Sequence, residues 1–138
     1  MSGDAFVILP SAPDLSASLA RVALAGLFLV HGWPKMKDLK GTAAWVKGTG
    51  WPGGAVFAVL VSLLEFFGSL ALIVGFLTQV VAALVALEMV GTSIFSKMKL
   101  GKKFVLGYEL DVAYLVLALT LALLGPGAWS VDRLLGIA

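Results

Sequence analysis

Apolar residues in this chain run almost unbroken, with neither the alternation of a half-buried strand nor the one-sided stripe of a surface helix. From Leu15 to Trp33 only Arg21 and His31 interrupt 19 residues. A helix of that length covers roughly 28 Å, about one bilayer hydrocarbon core. A second apolar region, Gly54 to Phe95, has Glu65 and Glu88 as its only charges over 42 residues. As one helix it would be about 63 Å long, so it must fold back on itself. The break falls at Gly75-Phe76-Leu77-Thr78-Gln79, giving two helices joined by a very tight turn. A last stretch runs from Tyr108 to Leu124 and stops at Gly125-Pro126-Gly127, a strong helix terminator. The pattern predicts spans near 15–33, 55–76, 79–96 and 108–124. That is an all-α integral membrane protein, a four-transmembrane-helix antiparallel bundle with residues 1–138 in one domain.

Composition agrees and excludes much. Of 138 residues, 60% are hydrophobic and 13% charged, and the mean hydropathy is +1.03. Soluble domains carry about 45–50% apolar and about 25% charged residues. A soluble enzyme of this size could not bury so much apolar surface, and disorder fails for the opposite reason. With no cysteine there is no disulfide, thiol nucleophile or iron–sulfur cluster, and the lone His31 precludes a multi-histidine metal cage within one chain. No metal site is expected.

The basic residues set the expected orientation. Eight of ten lie in two loops, Lys35, Lys37, Lys40 and Lys47 in one, Lys97, Lys99, Lys102 and Lys103 in the other. The positive-inside rule then places loops 34–54 and 97–107 in the cytoplasm and both termini outside. The first 14 residues hold two Pro, two Asp and no basic residue, an irregular or amphipathic lead without the charge of a signal peptide. Trp33, Trp45, Trp51 and Trp129 fall at span ends, where indole rings anchor at the interface. Small residues four apart, such as Ala82 with Ala86 and Ala118 with Ala122, would let helices approach closely. Short basic loops beside a membrane read as topology and lipid contact, so nucleic acid is not an expected partner.

The remaining charges sit where they are costly, at about 2.5–3.5 kcal/mol each near a span centre. Counted from the predicted outer ends, Arg21, Glu88 and Glu65 lie roughly 9, 14 and 16 Å deep. They are expected to meet in a mid-membrane cluster, Arg21 bridging the offset. One arginine cannot neutralise two carboxylates, so one glutamate is expected to hold a proton. Ser62, Glu65, Gly68 and Ser69 form a narrow polar or small stripe on the same helix. A second layer lies near the inner boundary, where His31 ends the first span and Tyr108, Glu109 and Asp111 begin the last. A histidine beside a carboxylate can relay protons or hold a ligand carbonyl; the same four groups could instead staple two helices. Ligand or proton-relay candidates are therefore Arg21, His31, Glu65, Glu88, Tyr108, Glu109 and Asp111, with no catalytic residue assigned.

Several stretches in order carry a resemblance. They are Arg21, then Gly26-Leu27-Phe28-Leu29-Val30-His31-Gly32-Trp33-Pro34-Lys35, Thr49-Gly50-Trp51-Pro52, Leu64-Glu65-Phe66-Phe67-Gly68, Ile73-Val74-Gly75-Phe76-Leu77-Thr78, Gly107-Tyr108-Glu109 and Gly125-Pro126-Gly127-Ala128-Trp129-Ser130-Val131-Asp132. Together they resemble the DoxX family of four-helix membrane proteins. The resemblance implies a multi-pass protein of the bacterial inner membrane, linked to redox systems. One relative is the DoxD-type subunit of thiosulfate:quinone oxidoreductase, and others associate with oxidative-stress and thiol-handling proteins. Two positions depart from the family: Gln79 stands where relatives often have Arg, and Glu88 where an apolar residue is usual.

Three functions follow as expectations. The first is the membrane subunit of a redox-associated, quinone-linked complex, with electrons supplied by a soluble partner protein because the chain has no flavin, haem or cluster motif. Its cofactor would be a bound quinone, none being carried by the chain itself. The second is a non-catalytic scaffold whose buried polar groups fix helix register. The third is a small proton or solute carrier using Glu65 and Glu88, for which a homo-oligomer would provide the pathway.

Overall fold

The structure is a computed structural model and describes residues 12–138; the N-terminal lead as far as residue 11 lies outside it. Among the described residues every regular element is helical, and four helices are long and apolar enough to cross a membrane. The first, α1 (Pro13–Lys37), opens with proline at its first position, where the missing N–H costs no hydrogen bond. It runs one turn past the expected end at Trp33, straight through Pro34. The Asp38 carboxylate then accepts from the Gly41 amide at 2.9 Å and starts α2 (Leu39–Gly48), a helix inside what the sequence presents as a loop.

The second span, α3 (Gly54–Val74), contains a π-helical turn over Leu64–Gly68. Such turns insert one residue into the ladder and often mark functional positions. The span ends at Gly75, whose φ of +74° provides the left-handed cap. After Phe76 and Leu77 the chain re-enters the membrane as α4 (Thr78–Met98), so the tight turn falls where the sequence places it. Residues 104–108 make an irregular turn, with Leu106 left-handed at φ +58°. From it α5 (Glu109–Leu124) leads to Gly125 and a short α6 (Val131–Leu134).

The core in the middle of the bundle interleaves large side chains with alanines. Leu24, Ala25 and Phe28 of α1 meet Leu72 of α3, Ala82, Val85, Ala86 and Met89 of α4, and Tyr114, Ala118 and Leu121 of α5. Ala82 and Ala118 are wholly buried, which lets α4 and α5 pack along their length. The faces turned outward carry Leu, Val and Phe, the surface that lipid solvates.

Two ends of the bundle differ sharply. At one, the start of α1 meets the segment after α5 and the α3–α4 turn: Asp14 lies 3.9 Å from Arg133, and the Asp132 amide donates to the Gly75 carbonyl. At the other, α2 packs on α3, Trp45 and Trp51 both touch Phe95, and the two lysine-bearing segments lie together.

Candidate functional site

Arg21 and the two intramembrane glutamates do not form the expected cluster. The buried Arg21 guanidinium turns to the terminal end of the bundle. Its Nη1 donates to the Leu72 and Ile73 carbonyls at 2.8 and 2.7 Å, and its Nη2 to the Trp129 carbonyl at 2.5 Å. The reason is directional: helix side chains lean toward the helix N-terminus, which for α1 is that end. Ile73 is eight residues beyond Glu65, about 12 Å along α3, so a guanidinium seated there is out of reach of Glu65.

This end is a clasp built from two charges on two helix termini. Arg21 sits on the last carbonyls of α3, the negative end of its dipole. Asp132, also buried, accepts from the Leu77 and Thr78 amides at 2.6 and 2.8 Å, capping the positive start of α4. Leu77 is held left-handed at φ +50°, and a Cβ on Gly75 would lie 2.5 Å from the Ser130 side chain. Gly75 and Thr78 are thus buried under the terminal segment, while Phe76 and Leu77 face outward. Asp132 is absent from the sequence-derived candidates because it lies beyond the last span. Gln79, the other departure noted, donates to the Ala122 carbonyl at 2.8 Å.

At the lysine end the counter-ion of Glu65 is Lys35, with Nζ 2.6 Å from Oε1. The helix extension past Trp33 carries Lys35 there, and the same N-terminal lean points its chain back into the bundle. The approach of α1 to α3 needs Gly32: a Cβ there would lie 2.8 Å from the Glu65 carbonyl carbon and the Phe66 nitrogen. The π turn presents Glu65 at this crossing, and the Ser69 hydroxyl donates to the Glu65 backbone carbonyl. The predicted stripe is buried throughout, Ser62, Glu65, Gly68 and Ser69 alike.

Between these groups and α2 lies a cavity of about 310 Å³. Phe28, Trp45, Phe57, Met89 and Phe95 give it apolar walls, and His31, Lys35, Glu65, Asp111 and Tyr114 bring polar groups to it. His31 meets the Tyr114 ring edge-on at 6.1 Å between centroids. Asp111 accepts from the Ser96 hydroxyl at 3.1 Å. Glu88 lies behind Glu65, within electrostatic reach of Glu65, Lys35 and Asp111, and neither of its oxygens has a donor.

Of the second layer, His31 and Asp111 reach the cavity, whereas Tyr108 and Glu109 do not. The Glu109 carboxylate folds back to accept from the Leu106 amide at 2.9 Å, and Tyr108 packs edge-on against Phe104. The irregular turn delays the start of α5 to Glu109 and commits both residues to shaping it. Sequence reasoning did not bring Lys35 or Tyr114 to the cavity: Lys35 read as a topology signal, and nothing in the pattern set Tyr114 apart within its span. Among the described residues no group of three or more His, Asp or Glu could hold a metal ion.

Comparison with known proteins places this geometry in a family. The DoxX family pattern matches residues 16–98. The chain is 35% identical over 127 residues to "Inner membrane protein YqjF" of Escherichia coli (strain K12), covering 88% of this chain and 93% of that protein. It is 27% identical over 122 residues to "Inner membrane protein YphA" of the same organism, covering 83% and 86%. It is 29% identical over 119 residues to "Putative oxidoreductase CatD" of Bacillus subtilis (strain 168), covering 86% of each. No solved structure matches. A four-span chain with this motif order, matched over more than half its length, belongs to the DoxX family.

Proposed function

We propose that this chain is the membrane subunit of a redox-associated complex in the bacterial inner membrane, and that its cavity receives a quinone-type ring. The carrying observation is the cavity itself, a space at the lower end of the usual range for small-molecule sites, about 300–1,000 Å³, with aromatic walls and few polar groups. The residues fit such a ring. Phe28, Phe57 and Phe95 offer flat apolar surface, while His31 and Tyr114 are among the lining groups able to donate to a carbonyl. Bound, a quinone supplies the electron-accepting chemistry that no side chain here provides. His31 and Tyr114 orient the ring, the aromatic walls exclude water, and Glu65 holds a carboxyl at the cavity wall. Electrons come from a soluble partner docking on the lysine end, which the positive-inside rule places in the cytoplasm. The relative named as an oxidoreductase supports this reading.

The test is to titrate the full chain in nanodiscs with a short-tailed ubiquinone analogue and follow tryptophan fluorescence, since Trp45 lines the cavity. Saturable quenching and a rise in thermal midpoint are expected. His31→Ala should weaken binding roughly tenfold, the worth of one hydrogen bond. Absence of both signals, with no quinone co-purifying from native membranes, overturns the reading.

A second reading, a non-catalytic scaffold, is favoured by one observation, the clasp at the terminal end. There Arg21 spends its Nη donors on backbone carbonyls, which fixes register and does no chemistry.

A further inference from the structure

Behind the cavity the charges do not balance. Glu65 and Glu88 are each more than nine-tenths buried, and one ammonium, Lys35, stands between them and the loop. Lys35 takes Glu65 Oε1, leaving Glu65 Oε2 and both Glu88 oxygens buried without a donor. The other charged neighbour, Asp111 on α5, is itself an acid and is turned to Ser96. Arg21 is occupied at the opposite end. Two carboxylates facing one ammonium leave one negative charge over, and an uncompensated charge buried in a bundle is among the costliest things a fold can carry. Among the described residues no group of three or more His, Asp or Glu could hold a metal ion. A proton needs only one carboxylate oxygen.

We infer that Glu65 and Glu88 share a single exchangeable proton, held behind Lys35 and delivered to the cavity through Glu65. Lys35 is built to gate it: its side chain is 34% exposed while that of Glu65 is 5% exposed, so the ammonium can leave toward water without opening the helices. When Lys35 withdraws, the proton passes from the Glu88 carboxyl to the Glu65 carboxylate, leaving Glu88 ionised and Glu65 neutral. Glu65, which lines the cavity, then gives it to an acceptor oxygen there and returns to the carboxylate. Lys35 re-pairs with Glu65, and Glu88 regains a proton from water entering at the lysine end. Its use rests on the cavity receiving a carbonyl ligand; its existence does not.

The experiment counts protons directly. The chain has three glutamates, Glu65, Glu88 and Glu109. Labelled with ¹³C at the side-chain carboxyl and placed in lipid vesicles at neutral pH, the full chain should give one neutral-acid signal and two carboxylate signals by solid-state NMR. Glu88→Gln should remove the neutral signal, because Glu65 then keeps Lys35 to itself. Lys35→Met should give two neutral signals, because Glu65 loses its counter-ion while Glu88 keeps its proton. Three carboxylates in the unmodified chain, a neutral signal that survives Glu88→Gln, or a single neutral signal in Lys35→Met would each overturn the inference. If Glu88→Gln does not fold, the unmodified chain and Lys35→Met still decide it. No ligand enters these counts, so correct counts with no quinone binding would sink the ligand reading alone.

Discussion

Gly32 and Gly26 occupy the same helix and differ only in what faces them, so one substitution at both sites isolates the α1–α3 contact. Alanine at either position gains the helix preference of alanine over glycine, about 1 kcal/mol. At Gly26 the added methyl meets nothing within 4 Å. At Gly32 it meets the Glu65 and Phe66 backbone at 2.8 Å, atoms that cannot swing aside as a side chain could. The preference term is common to both variants and cancels, leaving the cost of overpacking, about 1–3 kcal/mol. Gly32→Ala should therefore be less stable than Gly26→Ala by roughly 5- to 150-fold in the unfolding equilibrium. Unfolding in mixed micelles with increasing SDS, followed by far-ultraviolet circular dichroism, measures the gap. Equal stabilities, or Gly26→Ala as the weaker protein, would refute the claim that the helices close on Gly32.

The clasp makes a separate forecast: Arg21→Met strips three carbonyls of their donor and should lower folded yield sharply, while the fraction that folds retains the ligand affinity of the unmodified protein. Lost affinity at normal yield would instead put Arg21 in the site. Asp132→Ala should cost about 2–4 kcal/mol in the same SDS assay, since two amides at the start of α4 lose a charged acceptor; a change under about 0.5 kcal/mol, within the range of ordinary surface substitutions, would contradict the capping role. Orientation is testable because the chain has no cysteine of its own. Lys40→Cys should react with a membrane-impermeant maleimide only after the inner membrane is opened and Leu134→Cys before it, and the reverse pattern would invert the topology.

How much of this was legible beforehand depends on the kind of signal. The spans and the break at Gly75 follow from unbroken apolar runs and a residue that tolerates positive φ, both local properties. The partner of Glu65 was not legible by counting depth from span ends. Depth alone made Arg21 and the glutamates neighbours, because it ignored that side chains lean toward helix N-termini and so sent Arg21 outward. Taking Pro34 as the boundary left Lys35 in a loop, although one proline removes a single ladder bond and α1 continues through it. Asp132 stood in the last family motif but gave no sign of its capping role, since a carboxylate after the last span looks like any exposed one until Leu77 and Thr78 are seen against it.

That last contact bears on how the protein is made. The turn between α3 and α4 is complete only when Asp132 and the Trp129 carbonyl arrive, and both leave the ribosome after the fourth span. Until then Arg21 and the first amides of α4 lack part of their partners inside the lipid. Insertion of the first three spans therefore yields an unfinished intermediate, and the bundle locks when the segment after the fourth span folds back over the turn.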